Sequence, residues 1–131
     1  MEFSISNTGY TIKLTANFIN RDLNVAITGG NVPHIGTVTT YDKEREQKEV
    51  VRFPSHDGRF HKDDVLADRL LEKIKDGLPG NCVITTGVHV DHITTEQIHA
   101  SFGMIDELGE KLKSWISIQD NFEDPIYHKK C

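Results

Sequence analysis

The sequence has few of the features that mark exported, membrane-spanning or disulfide-linked proteins. Only two of its 131 residues are cysteines, Cys82 and Cys131, and their spacing fits neither a zinc knuckle nor a disulfide framework. The N-terminus lacks the basic start and apolar core of a signal peptide, and no apolar run approaches the roughly 20 residues that span a bilayer. We therefore expect a cytoplasmic protein with no membrane partner.

Positive charge is also in short supply. Lys and Arg number 15 against 20 Asp and Glu, which gives a net charge of -5. The basic residues are scattered along the chain, whereas a nucleic-acid-binding domain concentrates them on one face. The composition therefore argues against a nucleic-acid partner, and an anionic ligand would need a local site.

The signatures of common catalytic sites are absent as well. The chain contains no GxGxxG, GxxxxGK[ST] or HExxH motif and no nucleophile elbow. Its length suits one domain, 1–131, with one core. We predict a binding protein with no catalytic residue and no metal site.

The hydrophobic periodicity predicts an α+β fold. Alternating apolar and polar residues indicate strands at 10–19, 23–28, 37–42 and 48–53. A nearly continuous apolar run at 82–88 indicates a fifth strand inside the sheet. The short turns between consecutive strands favour a mostly antiparallel five-stranded sheet.

Two amphipathic helices are predicted to pack on this sheet. The first follows "HKDD", 61–64, and places Leu66, Leu70 and Ile74 on one stripe before Gly77. The second begins at the capping box "TTEQ" and ends near Ser117. Its predicted inward-facing residues are Ile98, Phe102, Ile105, Leu108 or Gly109, Leu112, and Trp115 or Ile116.

Polar residues collect at the ends of these elements. "GGNVPHIG", 29–36, interrupts two strands, "HKDD" opens the first helix, and "HVDH", 89–92, leads into the second helix. Element ends carry free backbone donors and exposed side chains, which is why binding sites are often built there. We predict that the three segments converge.

A pocket for a phosphorylated ligand fits these residues better than a catalytic site does. Free backbone N–H groups near 29–31 and the helix start near Asp63 could hold a phosphate. The candidate side-chain donors are His34, His61, Lys62 and His89. Each segment also has a structural explanation: glycines that permit a turn, acidic residues that complement a helix dipole, and solvated histidines.

The three segments also carry a resemblance. "GGNVPHIG", "HKDD" and "GVHVDHIT", in this order before a long last helix, resemble the prenylated-flavin chaperone family, the small D subunits associated with gallate decarboxylase. The resemblance covers about 18–115. It implies a non-enzymatic chaperone, similar in fold to the proteasome assembly chaperones, that binds reduced prenylated FMN as cargo. It further implies delivery to UbiD-type decarboxylases of gallate or protocatechuate.

The resemblance, transferred residue by residue, gives the predicted cofactor contacts. They are Asn31, Pro33, His34, Gly36, His61, Lys62, Asp63, His89 and Asp91. It also implies a homodimer. A second helix that is apolar along its length favours pairing with a twin, in which "HKDD" of one chain meets "PHIG" of the other.

Two alternatives from other classes stay open. One is a small metal-dependent enzyme that uses His34, His61, His89 and Asp91. The other is a structural subunit that contacts a decarboxylase through its C-terminal tail.

Overall fold

The computed structural model describes residues 1–54, 63–120 and 122–124. Within these ranges the strands are β1 (Glu2–Asn7), β2 (Tyr10–Ile19), β3 (Asp22–Gly30), β4 (Thr37–Asp42), β5 (Gln47–Arg52) and β6 (Cys82–His89). The helices are α1 (Asp64–Ile74), followed by a 3-10 turn at Lys75–Gly77, and α2 (Thr95–Ser117). The α+β class and both predicted helices are confirmed.

The strands form one mixed sheet in the order β1-β2-β3-β6-β4-β5. β6 lies between β3 and β4, which confirms that the apolar run at 82–88 is an internal strand. Its pairing with β3 is parallel, whereas the other neighbouring pairs of described strands are antiparallel. The connection from β3 to β4 therefore has to cross the end of β6.

The prediction of five strands is wrong by one, because β1 was missed. Phe3 and Ile5 of β1 pair opposite Leu14 and Ile12 of β2 and are only half buried at the edge of the sheet. A short edge strand with two apolar residues gives little periodic signal.

Both helices cover the same face of the sheet. α1 packs on β4 and β6, and α2 packs on β1 and β2. The predicted stripe of Leu66, Leu70 and Ile74 is buried in the core between these layers. The opposite face of the sheet has no helix on it among the described residues.

α2 begins with the predicted capping box. Thr94 accepts a hydrogen bond from the Gln97 backbone, and the Gln97 side chain accepts one from the Thr94 backbone. Ile105, Leu108, Gly109, Leu112 and Ile116 are buried, as predicted, and Phe102 and Trp115 are half buried. Ile98 was predicted to face inward but is 42% exposed. Gln97 takes the inner position of this first turn, where its side chain donates to the Thr8 carbonyl.

No described helix is long and apolar enough to cross a membrane.

The described end of the tail packs on the turn between β2 and β3. Phe122 meets the ring of Phe18 at 5.0 Å between centroids, and Asn20 exchanges two hydrogen bonds with the Glu123 backbone. Arg21 forms an ion pair with Asp124. These contacts lie at the end of the sheet opposite the predicted site.

Candidate functional site

The described residues of the three predicted segments lie at one end of the sheet. β3 and β6 end there, and β4 begins there because Thr37 pairs with Thr86. Both helices start at the same end: Arg52, the last residue of β5, binds Asp64 of α1, and the Gln97 carbonyl of α2 accepts from Tyr10 of β2. We call residues 31–36, 63–64 and 89–94 at this end the site end.

Two glycines allow the chain to cross β6 at the site end. A Cβ on Gly87 would overlap the His34 carbonyl oxygen, so the loop 31–36 lies directly on the backbone of β6. Gly30 has φ +76, and a Cβ there would overlap the His89 carbonyl oxygen. β3 thus continues through Gly29 and Gly30, two residues further than predicted, and the glycines serve close backbone contact.

His34 and Asp63 bring the loop and the start of α1 together. The His34 Nδ1 atom lies 2.9 Å from the Val32 carbonyl oxygen, and because that oxygen can only accept, Nδ1 carries a proton. The His34 Nε2 atom lies 3.9 Å from a carboxylate oxygen of Asp63. Both side chains are largely buried, with 23% and 15% of their surface exposed. The two segments therefore meet within one chain.

Arg52 and Asp64 form a second link at the start of α1. The guanidinium donates two hydrogen bonds, of 3.0 and 2.8 Å, to the two carboxylate oxygens. This hydrogen bonding holds the pKa of Asp64 below its usual value. Asp64 thus attaches α1 to β5 and has its charge compensated by Arg52, so Asp63 is the carboxylate that opposes an anion at the start of the helix.

Asn31, His89 and Asp91 join the other two loops. The Asn31 N–H donates to the His89 carbonyl at 2.6 Å, and the Asp91 N–H donates to the Asn31 side-chain oxygen at 2.7 Å. The His89 Nε2 atom lies 2.9 Å from an Asp91 carboxylate oxygen, and both side chains are exposed. The prediction of a free N–H group at Asn31 is therefore wrong, because the end of β6 already accepts from it.

The remaining predicted residues have different positions. Pro33 is exposed, whereas Gly36 is buried and uses both backbone groups, donating to Thr86 at 2.8 Å and accepting from Phe53 at 2.9 Å. His61 and Lys62 lie outside the described residues. In the described part of the chain, no group of three or more His, Cys, Asp or Glu residues is placed to hold a metal ion.

An apolar rim surrounds these polar groups. Six large side chains in the segments around the site end are between 42% and 55% exposed: Val32, Ile35, Phe53, Val65, Ile93 and Ile98. Apolar surface of this kind, next to convergent polar groups, is typical of sites that bind a ligand or a partner.

Three buried threonines near the site end were not predicted from the sequence. Thr37, Thr39 and Thr86 lie on the helix-covered side of the sheet and are at most 1% exposed. Their hydroxyl oxygens have no hydrogen-bond partner among the described residues. The available signal was a run of threonines at alternating, core-facing positions in "TVTTYD" and "CVITTGV".

Features at the far end of the sheet contain none of the predicted site residues. A cleft there is lined by residues that include Asp42, Arg45 and Asn81. Cys82 is buried beside it, and burial raises the pKa of its thiol to about 12. Such a thiol stays protonated near neutral pH and is a poor nucleophile.

Comparison with known proteins gives two matches. The profile of the family described as "Prenylated flavin chaperone LpdD-like domain" matches residues 6–117. Protein LpdD from Lactiplantibacillus plantarum (strain ATCC BAA-793 / NCIMB 8826 / WCFS1) is 41% identical over 127 residues, which cover 96% of this chain and 93% of the relative. The family match includes all three segments of the site end.

Proposed function

Because the chain belongs to the prenylated flavin chaperone LpdD-like family, we propose that it binds reduced prenylated FMN as cargo at the site end. We propose further that it delivers this cofactor, without catalytic chemistry of its own, to a UbiD-type decarboxylase of gallate or protocatechuate in the cytoplasm. The chain would act as a single domain that pairs as a homodimer. The observation that carries the proposal is the convergence of the three polar segments inside an apolar rim.

The composition of the site end suits a flavin. The fused rings and prenyl-derived carbons of the cofactor present a large apolar surface, and the exposed rim offers matching apolar side chains. His34 and Asn31 supply hydrogen-bonding groups inside the rim. Because the site is made of loops at one end of the sheet, a decarboxylase could approach it without disturbing the core.

The phosphate is proposed to bind beside His89. Asp63 places a negative charge at the start of α1, which opposes a phosphate dianion, whereas the charge of Asp64 is compensated by Arg52. His89, whose side chain is exposed, is the described candidate to donate to the phosphate. His61 and Lys62 remain proposed donors that lie outside the described residues.

Anaerobic titration tests the proposal directly. Reduced prenylated FMN should bind, and its phosphate-free form should bind more weakly by about 2 to 4 kcal/mol because charge-assisted hydrogen bonds are lost. Equal affinity for the two forms would show that the phosphate does not contribute to binding. No detectable binding of either form would contradict the proposed cargo.

A further inference from the structure

The three buried threonines form one cluster on two neighbouring strands. Thr37 of β4 is directly opposite Thr86 of β6, and Thr39 lies two residues further along β4 on the same face. Thr37 and Thr86 are fully buried, and Thr39 is 1% exposed. None of the three hydroxyls has a hydrogen-bond partner in the described part of the chain.

Unpartnered hydroxyls of this kind lower stability. A buried donor or acceptor loses its hydrogen bonds to water and, without a partner, regains nothing on folding. Valine has nearly the same shape as threonine and would fill these positions without that penalty. Most other buried side chains on this face of the sheet are aliphatic, for example Ile12, Val25 and Ile84. The hydroxyls are thus suited to a partner that the described part of the chain does not supply.

The position of the cluster connects it with the site end. Thr37 is the first residue of β4, and the Thr86 carbonyl accepts from Gly36 of the loop that carries His34. The nearby start of α1 holds the Asp63 carboxylate, which disfavours an anionic group at this corner. A hydroxyl, in contrast, is neutral and can either donate or accept a hydrogen bond.

We propose that the hydroxyls of Thr37, Thr39 and Thr86 bind the uncharged polar edge of the flavin ring system, which presents carbonyl oxygens beside a ring N–H. This inference rests on the proposed function and assigns the ring, not the phosphate, to the interior of the site. Directly opposed residues of paired strands hold their Cβ atoms about 4.5–5.5 Å apart, a spacing that suits neighbouring polar atoms of one ring edge. Because the three hydroxyls are closed to solvent, binding of the ring would require the side chains that cover them to move.

Threonine-to-valine variants test the inference, because they should weaken flavin binding and at the same time raise the melting temperature of the free protein. Thr37→Val and Thr86→Val should each raise the dissociation constant for reduced prenylated FMN about tenfold, because each removes one hydrogen bond to the ring. Without ligand, the same variants should melt about 2–6 °C higher, because an unpartnered hydroxyl is gone. The matched control is Thr85→Val, on the same strand but on the opposite face, which should leave the dissociation constant unchanged.

Three results would overturn the inference while leaving the proposed function intact. The first is unchanged affinity in the valine variants, and the second is a lower melting temperature without ligand, which would mean that the hydroxyls already have partners such as ordered water. The third comes from the phosphate-free flavin, whose affinity should fall by the same factor; a loss confined to the phosphorylated form would assign the hydroxyls to the phosphate. A wild-type protein that binds neither flavin would instead overturn the proposed function together with the inference.

Discussion

Among single residues, His34 has the most direct connection to the proposed ligand. Its ring is held by the Val32 carbonyl and lies beside Asp63, yet it belongs to a loop and not to the hydrophobic core. A side chain in this position is fixed in orientation without contributing much to folding. Its removal should therefore affect binding more than stability.

His34→Ala tests this separation of roles. The variant should bind reduced prenylated FMN about tenfold more weakly, by loss of one hydrogen bond from a histidine, and should melt within a few degrees of the wild type. His99→Ala, on the exposed side of α2, is the matched control and should leave affinity unchanged. If the His34→Ala protein lost thermal stability as severely as affinity, the histidine would be structural.

Asp64 predicts a pH dependence of stability. Hydrogen bonding from Arg52 lowers its pKa in the folded protein relative to the unfolded value near 3.9. A lowered pKa stabilises the folded form at pH values above the unfolded pKa, and this contribution disappears as the pH falls through the folded pKa. Asp64→Asn should therefore be less stable than the wild type at pH 7, and the difference should shrink below about pH 4.

Urea unfolding at several pH values measures this difference. Asp76→Asn is the control, because Asp76 is exposed just after α1 and should change stability little at any pH. A gap between Asp64→Asn and the wild type that stayed constant from pH 7 to pH 3 would show that the carboxylate charge is not what stabilises the link between β5 and α1.

At the scale of elements, the crossing of loop 31–36 over β6 depends on Gly87. Gly87→Ala places a methyl group against the His34 carbonyl oxygen and should displace the loop. We expect a loss of about 1–3 kcal/mol in the free energy of unfolding, the usual range for overpacking, together with weakened flavin binding. Gly103→Ala is the control: nothing lies within 4 Å of the added Cβ on α2, so this variant should gain about 0.5–1 kcal/mol. If Gly87→Ala bound flavin as tightly as the wild type, loop 31–36 would not be part of the binding site.

Elements with local signals could be predicted from the sequence. The β2–β3 hairpin alternates apolar and polar residues, α1 has a full apolar stripe, and α2 starts at Thr94 with a capping box, so each pattern is contained in a short window. β1 was missed because its two apolar residues are half buried at an edge. The parallel pairing of β3 with β6 joins residues almost 60 positions apart, and no local pattern specifies it.

The site was predictable to the same extent. His34, Asp63 and His89 lie next to the ends of strands or helices, where binding sites are often built. Their convergence could therefore be predicted from their positions in the sequence. The hydrogen bond from Asn31 to His89 depends on the β3–β6 pairing and could not be read from either loop alone. The threonines can be read from the sequence, but only the packing of α1 on their strands shows that their hydroxyls are buried.

For the whole molecule, α2 does not offer the apolar surface that was expected to pair with a second copy. Ile105, Leu112 and Ile116 of α2 are buried within the chain, so the apolar surplus that was predicted to face a second copy is already used. The uncovered face of the sheet carries Val51 and Val83, which are 55% and 38% exposed. An uncovered sheet face with apolar side chains is a common site of self-association.

We expect the proposed homodimer to form through this uncovered face of the sheet. Light scattering across a dilution series should give the mass of two chains at micromolar concentration, and Val83→Asp should shift it to one chain by placing a charge on the uncovered face. Ile118→Asp, at a 73% exposed position after α2, should leave the dimer intact.

Because His34 and Asp63 already meet within one chain, the monomeric variant should bind reduced prenylated FMN with affinity close to that of the wild type. A wild-type protein that is monomeric throughout the series would contradict the homodimer, whereas a folded Val83→Asp monomer that no longer binds flavin would show that the pocket is shared between two copies.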